Sequence, residues 1–152
     1  MMSGKELESE KRKSRAVEKG FSIVELLVVC TIIGIVASLA VPHLQKALRA
    51  SENGATFATL RVIASEEVSY FSQNGRFGRV TEINNVLSGA VGTQSGNEVN
   101  RGRFVFSMSP AAPSDIELRS GYTINATRDV PSEGVTYVYQ LTQTGEIRQV
   151  LP

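Results

Sequence analysis

The 152-residue chain has no tryptophan, one cysteine and one histidine, and its only aspartates are Asp115 and Asp129. A single cysteine, Cys30, excludes an intramolecular disulfide and a cysteine-ligated zinc site. The lone histidine, His43, has no Cys, Asp or second His nearby in sequence, so its expected role is interfacial solvation rather than metal binding or catalysis. The two aspartates fall in separate stretches, and no dense Asp/Asn/Gly segment has the spacing of a helix-loop-helix calcium loop. A net charge of +1, with no clustered Lys/Arg face, offers nothing to nucleic acid. With no paired nucleophile and base and no metal cluster, the chain reads as a non-enzyme without cofactor or resident metal.

What the chain has instead is one long apolar run. From Phe21 to Val41 the only ionisable side chains are Glu25 and the Cys30 thiol. At about 1.5 Å per residue this run makes roughly 31 Å of helix, matching the roughly 30 Å hydrocarbon core of a bilayer. Much of the 41% hydrophobic content is spent there, which leaves a modest core for the rest. Glu25 is the anomaly, because a carboxylate within a membrane helix costs at least about 3 kcal/mol and tends to have a partner or a job. Its position one turn from the start also permits a plainer role, reaching the headgroups and favouring the helix N-terminus.

The stretch Lys19-Gly20-Phe21-Ser22-Ile23-Val24-Glu25-Leu26-Leu27-Val28-Val29 resembles the processing and assembly motif of type IV pilins and pseudopilins. The resemblance implies Gly20 as the residue before the leader-peptidase cut and Phe21 as the new, N-methylated terminus. It implies Glu25 as the assembly residue, opposite the free amine of a neighbouring Phe21, and Pro42 as the proline that ends the buried segment and kinks the helix. It is specific over residues 19–42, weaker up to about residue 71, and topological beyond. Cys30 is a mild departure. Many pilins close a C-terminal loop with a disulfide, which this chain cannot do, and the calcium-binding C-terminal loop common in secretion pseudopilins is not evident.

Residues 1–20 are polar, with six Lys/Arg against four Glu, and lack apolar periodicity. They are expected to be a disordered, cleaved cytoplasmic leader, because positive charge ahead of an apolar span retains that end inside. The chain beyond Val41 then lies across the membrane. An ordinary secretory signal is the rival reading, since Ser38-Leu39-Ala40 supplies small residues for a cut before Val41. Glu25, Pro42 and the length of the apolar run count against it. A plain uncleaved anchor is the other alternative.

After the 21–41 span, residues 42–73 continue as an amphipathic helix. Leu44, Leu48, Ser51, Ala55, Phe57, Leu60, Ala64, Val68 and Phe71 recur mostly at spacings of three and four. Pro42 should bend this helix without stopping it, Gly54 should weaken it, and Gln73-Asn74-Gly75 should cap it. Residues 74–102 read as a variable loop region with a short helical turn near Leu87 and an exposed, mobile loop at Gly92-Thr93-Gln94-Ser95-Gly96-Asn97. Within residues 103–152, four short antiparallel strands are expected near 103–108, 122–126, 135–141 and 146–150, with Gln143-Thr144-Gly145 as a hairpin turn. One sheet face laid on the Phe57-Leu60-Ala64-Val68-Phe71 stripe makes an α+β head, in agreement with the pilin-like fold: one long N-terminal helix whose C-terminal half packs on a small antiparallel sheet.

Several residues attract a plainer account. Glu66-Glu67 reads as a solvated helix edge, and Asn125-Ala126-Thr127, though a glycosylation sequon, falls in an expected strand. Phe57, Tyr70, Phe71 and Phe77 read as core. The functional expectation is a structural filament subunit made as a single-pass inner-membrane precursor and ending in an extracellular or periplasmic filament. Its partners would be itself and other pilins or pseudopilins, a prepilin peptidase/methyltransferase, an inner-membrane assembly platform and membrane lipids. A type II secretion pseudopilin, or a membrane-anchored or secreted binding module, is the alternative.

Overall fold

The computed structural model describes residues 20–131 and 134–151, so the expected leader lies outside the described residues except for Gly20. The elements run α1 (Ile23–Asn74), α2 (Val80–Val86), β1 (Thr93–Ser95), β2 (Glu98–Arg101), β3 (Phe104–Met108), α3 (Glu117–Ser120), β4 (Thr123–Val130), β5 (Val135–Thr142) and β6 (Ile147–Leu151). The chain divides into two units, with the boundary after Gln45.

In the first unit, Ser22 opens α1. Its hydroxyl accepts from Val24 N at 3.3 Å and its carbonyl from Leu26 N at 3.1 Å, so it serves as the N-cap. The few hydroxyls in the apolar stretch are satisfied along the helix itself: Thr31 Oγ1 donates to Leu27 O at 2.8 Å and Ser38 Oγ to Ile35 O at 2.7 Å. The helix passes through Pro42 unbroken, although proline denies the Ser38 carbonyl its usual donor.

In the second unit α1 stops where expected. Gly75 adopts a φ of +68°, its N–H donates to Phe71 O at 2.9 Å, and Asn74 Nδ2 donates to Tyr70 O at 3.0 Å, so the last carbonyls are satisfied. The buried line differs from the expected stripe. Thr56, Thr59, Leu60, Ile63 and Glu67 face inward with Phe57, Ala64 and Tyr70 beside them, while Val68 is 67% exposed. The inward face is thus turned by about one residue, because Glu67 is accommodated inside and is not a solvated edge.

The six strands form one antiparallel meander in the order β1-β2-β3-β4-β5-β6. Alternation places Phe104, Phe106 and Met108 of β3, Ile124 and Ala126 of β4, and Tyr139 and Leu141 of β5 in the core with Leu60 and Ile63. The α+β class, with one long helix and a small antiparallel sheet, is as expected, but the sheet has six strands rather than four. The two additional strands come from the segment read as loop: Ser95 pairs with Glu98 across a Gly96-Asn97 turn in which Gly96 has a φ of +60°. Val99 anchors this hairpin by pairing with Phe106 in the core. Helix α2, also within the expected loop region, is held by Val80 and Ile83 in the core and by Glu82 Oε2, which accepts from Arg79 N at 2.7 Å.

Candidate functional site

The sequence motif becomes a short non-helical lead-in followed by the first turn of α1. Gly20 is exposed, and a Cβ built there would meet nothing within 4 Å. Phe21 is 82% exposed, so the Gly20–Phe21 peptide bond sits in open chain just before the Ser22 cap. Glu25 occupies the first helical turn, where the partial positive charge of unpaired N–H groups favours a carboxylate. It is surrounded along the helix by exposed Ile23, Val24, Leu26, Leu27, Val28 and Val29. One stretch of α1 is long and apolar enough to cross a membrane, and its side chains are not covered by any of the described residues. This arrangement leaves the Gly20–Phe21 peptide bond accessible, with no side chain on one flank, and places one acid within a run of exposed apolar side chains.

Pro42 and His43 lie on the exposed helix beyond this stretch, and Cys30 is exposed within it. Among the described residues no three or more His, Cys, Asp or Glu side chains converge as a metal site. Asp129 accepts from Thr136 Oγ1 at 2.7 Å, and Asp115 is ion-paired with Arg79 at 2.7 Å. Asn125 accepts from Gln140 Nε2 at 3.2 Å across the β4–β5 pair.

Sequence reasoning missed three charged groups of the second unit. Arg128 is 2% exposed on the inward side of β4, its guanidinium over the Phe104 ring and in close ion contact with Glu52. Glu67 is fully buried, its Oε2 accepting from Gly78 N at 2.7 Å, and burial pushes its carboxyl up to about 8. Arg76 makes a two-pronged pair with Glu82 at 2.8 and 2.9 Å, which holds Glu82 down at about 2. Burial raises the Tyr122 phenol, with the Glu67 charge adding to it. Only the alternation of β4, which puts Arg128 in phase with Ile124 and Ala126, signalled any of this in the sequence.

The prokaryotic N-terminal methylation motif matches residues 15–41. The type IV major pilin protein PilA of Myxococcus xanthus (strain DK1622) is 30% identical over 117 residues, 77% of this chain and 46% of that protein. The fimbrial protein EcpC of Eikenella corrodens is 31% identical over 86 residues, 57% of this chain and 54% of that protein. The chain spans about half the length of these curated relatives. No solved structure matches it significantly. The chain thus bears the prokaryotic N-terminal methylation motif, whose described part lies on the lead-in and the exposed apolar helix, and it is similar to a type IV major pilin and to a fimbrial protein.

Proposed function

We propose that the protein is a structural pilin subunit. The apolar half of α1 anchors the precursor in the inner membrane, a prepilin peptidase cuts after Gly20, and Phe21 becomes the N-methylated terminus. An assembly platform then draws subunits, of this chain and of other pilins, from the lipid into an extracellular or periplasmic filament. The observation that carries this reading is the match to the methylation motif at 15–41, whose part from Ile23 on is a helix with apolar side chains that have no cover among the described residues.

Glu25 has the assembly role in this scheme. In a bundle of such helices its carboxylate meets the Phe21 amine of a neighbouring subunit, and exclusion of water strengthens that pair. The same pair sets axial register, since only one stagger brings both charges together. Intact mass of the exported protein tests the processing: a cut after Gly20 plus one methyl group is expected, and a cut after Ala40 refutes it. For assembly, Glu25→Leu should insert and be cleaved normally yet fail to extend filaments in electron micrographs of sheared material. Filaments of normal number and length from that variant would return Glu25 to a role at its own helix terminus, worth no more than about 1 kcal/mol.

A further inference from the structure

The connector between α1 and α2 is closed down on a buried acid. Gly78 N donates to Glu67 Oε2 at 2.7 Å, while Glu67 Oε1 has no hydrogen-bond partner among the described residues. Gly78 suits this approach because a Cβ there would lie 2.6 and 2.9 Å from the Ile83 side chain. On either side, Phe77 N donates to Leu118 O at 2.9 Å, and the Phe77 ring packs between Phe71 at 4.6 Å and Tyr122 at 4.9 Å. Glu67 is fully buried with Gly78 closed on it, and the connector is held by these bonds and by the ion pairs of Arg76 with Glu82 and of Arg79 with Asp115.

The charged and titratable groups facing Glu67 are Arg76 on the connector, Glu82 on α2 and Tyr122 ahead of β4. Arg76 attracts a charged Glu67 only weakly, less than Glu82 repels it, because its guanidinium is engaged by Glu82 at 2.8 Å and by Asp115 at 3.5 Å. Glu82 repels a charged Glu67. A neutral carboxyl therefore fits this site, whereas a carboxylate there has one N–H donor and an unpaired buried oxygen, an arrangement that costs several times more than an unpaired neutral group.

We propose that Glu67 is a proton-dependent latch: its neutral carboxyl keeps the 75–79 connector closed on α1, and loss of the proton to solvent opens the connector locally, uncovering Phe77 and the backbone around Arg76 and Arg79. The closed state favours the protonated acid, so closure is complete below the ordinary glutamate range and weakens as pH rises toward about 8. With an open-state value near 4.5, the ratio of open to closed connector rises on the order of 100-fold between pH 6 and pH 9.

The test uses the full chain in detergent micelles. The 13C shift of the Glu67 Cδ should titrate near pH 8. Tryptic cleavage at Arg76 and Arg79, taken relative to Glu67→Gln at each pH to cancel the protease's own dependence, should rise on the order of 100-fold from pH 6 to 9, while cleavage at Arg119 stays level. A Cδ midpoint at the ordinary glutamate value, or a flat cleavage ratio, overturns the proposal. An equal rise at Arg119 also overturns it, because that is global unfolding rather than a latch. If Glu67→Gln does not fold, wild-type exchange of the Phe77 amide, corrected for base catalysis, decides: a pH-independent protection factor refutes the latch.

Discussion

Breaking the Glu52–Arg128 pair should cost very different amounts depending on which partner is removed. Arg128 is 2% exposed, whereas the Glu52 side chain is 36% exposed and has Arg103 at 3.8 Å from its second oxygen. Arg128 Nη1 and Glu52 Oε2 are 2.5 Å apart yet poorly aligned for a hydrogen bond, so the attraction is mainly that of charge against charge. Glu52→Gln leaves a guanidinium inside the fold without a countercharge, at a cost of about 3–5 kcal/mol. Arg128→Met leaves a carboxylate that reaches water and Arg103, while methionine fills the place over Phe104, so about 1–2 kcal/mol is lost. The double variant should resemble Arg128→Met alone, giving a coupling of about 3–5 kcal/mol, the full cost of Glu52→Gln. Urea unfolding followed by circular dichroism, on a chain beginning at Lys46 and first checked for a cooperative transition, measures the cycle. Equal single costs, or additive ones, would refute the claim that burial of the arginine decides the energetics.

Leu60→Asp should abolish the cooperative thermal transition of the same chain, since a fully buried leucine is exchanged for an unpaired charge at a cost of at least about 4 kcal/mol; an unchanged melting temperature would mean that the inward face of α1 is misassigned. Gly92→Ala places a Cβ on the Asn100 carbonyl, a backbone group that cannot turn aside, and should cost about 2–3 kcal/mol with loss of amide protection at Val99. Glu82 is held at about 2 by Arg76, so its stabilisation is present above about 4.5 and lost as pH falls toward 2. Because Glu82 still meets solvent, Glu82→Gln should remove about 1–2 kcal/mol at pH 7 and only a small fraction of that at pH 2, which unfolding at both pH values will show. Gly20→Phe should leave an unprocessed precursor in the membrane fraction, since a cleavage pocket that accepts glycine has no room for a ring; immunoblotting for mature-sized protein checks it.

Long-range regularities were readable without coordinates. An apolar run, a proline that does not stop a helix, and Asn74-Gly75 as its end are local matters of side-chain transfer energy and backbone freedom, and α1 runs through Pro42 to Asn74 accordingly. The β3 alternation was equally plain because it buries every second residue against one partner layer, and β4 and β5 were legible as strands. The hairpin of β1 and β2 was not, since its strands are polar and exposed apart from Val99, and their pairing is decided by where β3 already lies. Asn84 shows the same dependence: its amide accepts from Val91 N and Gly92 N and donates to Gly92 O, a set of partners brought together only by folding.

The membrane-length helix, the motif that begins it and the α+β order of elements follow from the chain alone, because periodicity and transfer free energy are properties of a chain segment and need no neighbour. Which face of α1 turns inward, and which charges go with it, depends on the packed layers. Glu67 and Arg128 are buried because one finds the Gly78 amide and the other finds Glu52 and the Phe104 ring, and such partners, 11 residues away for one and on another element for the other, exist only once the layers have closed.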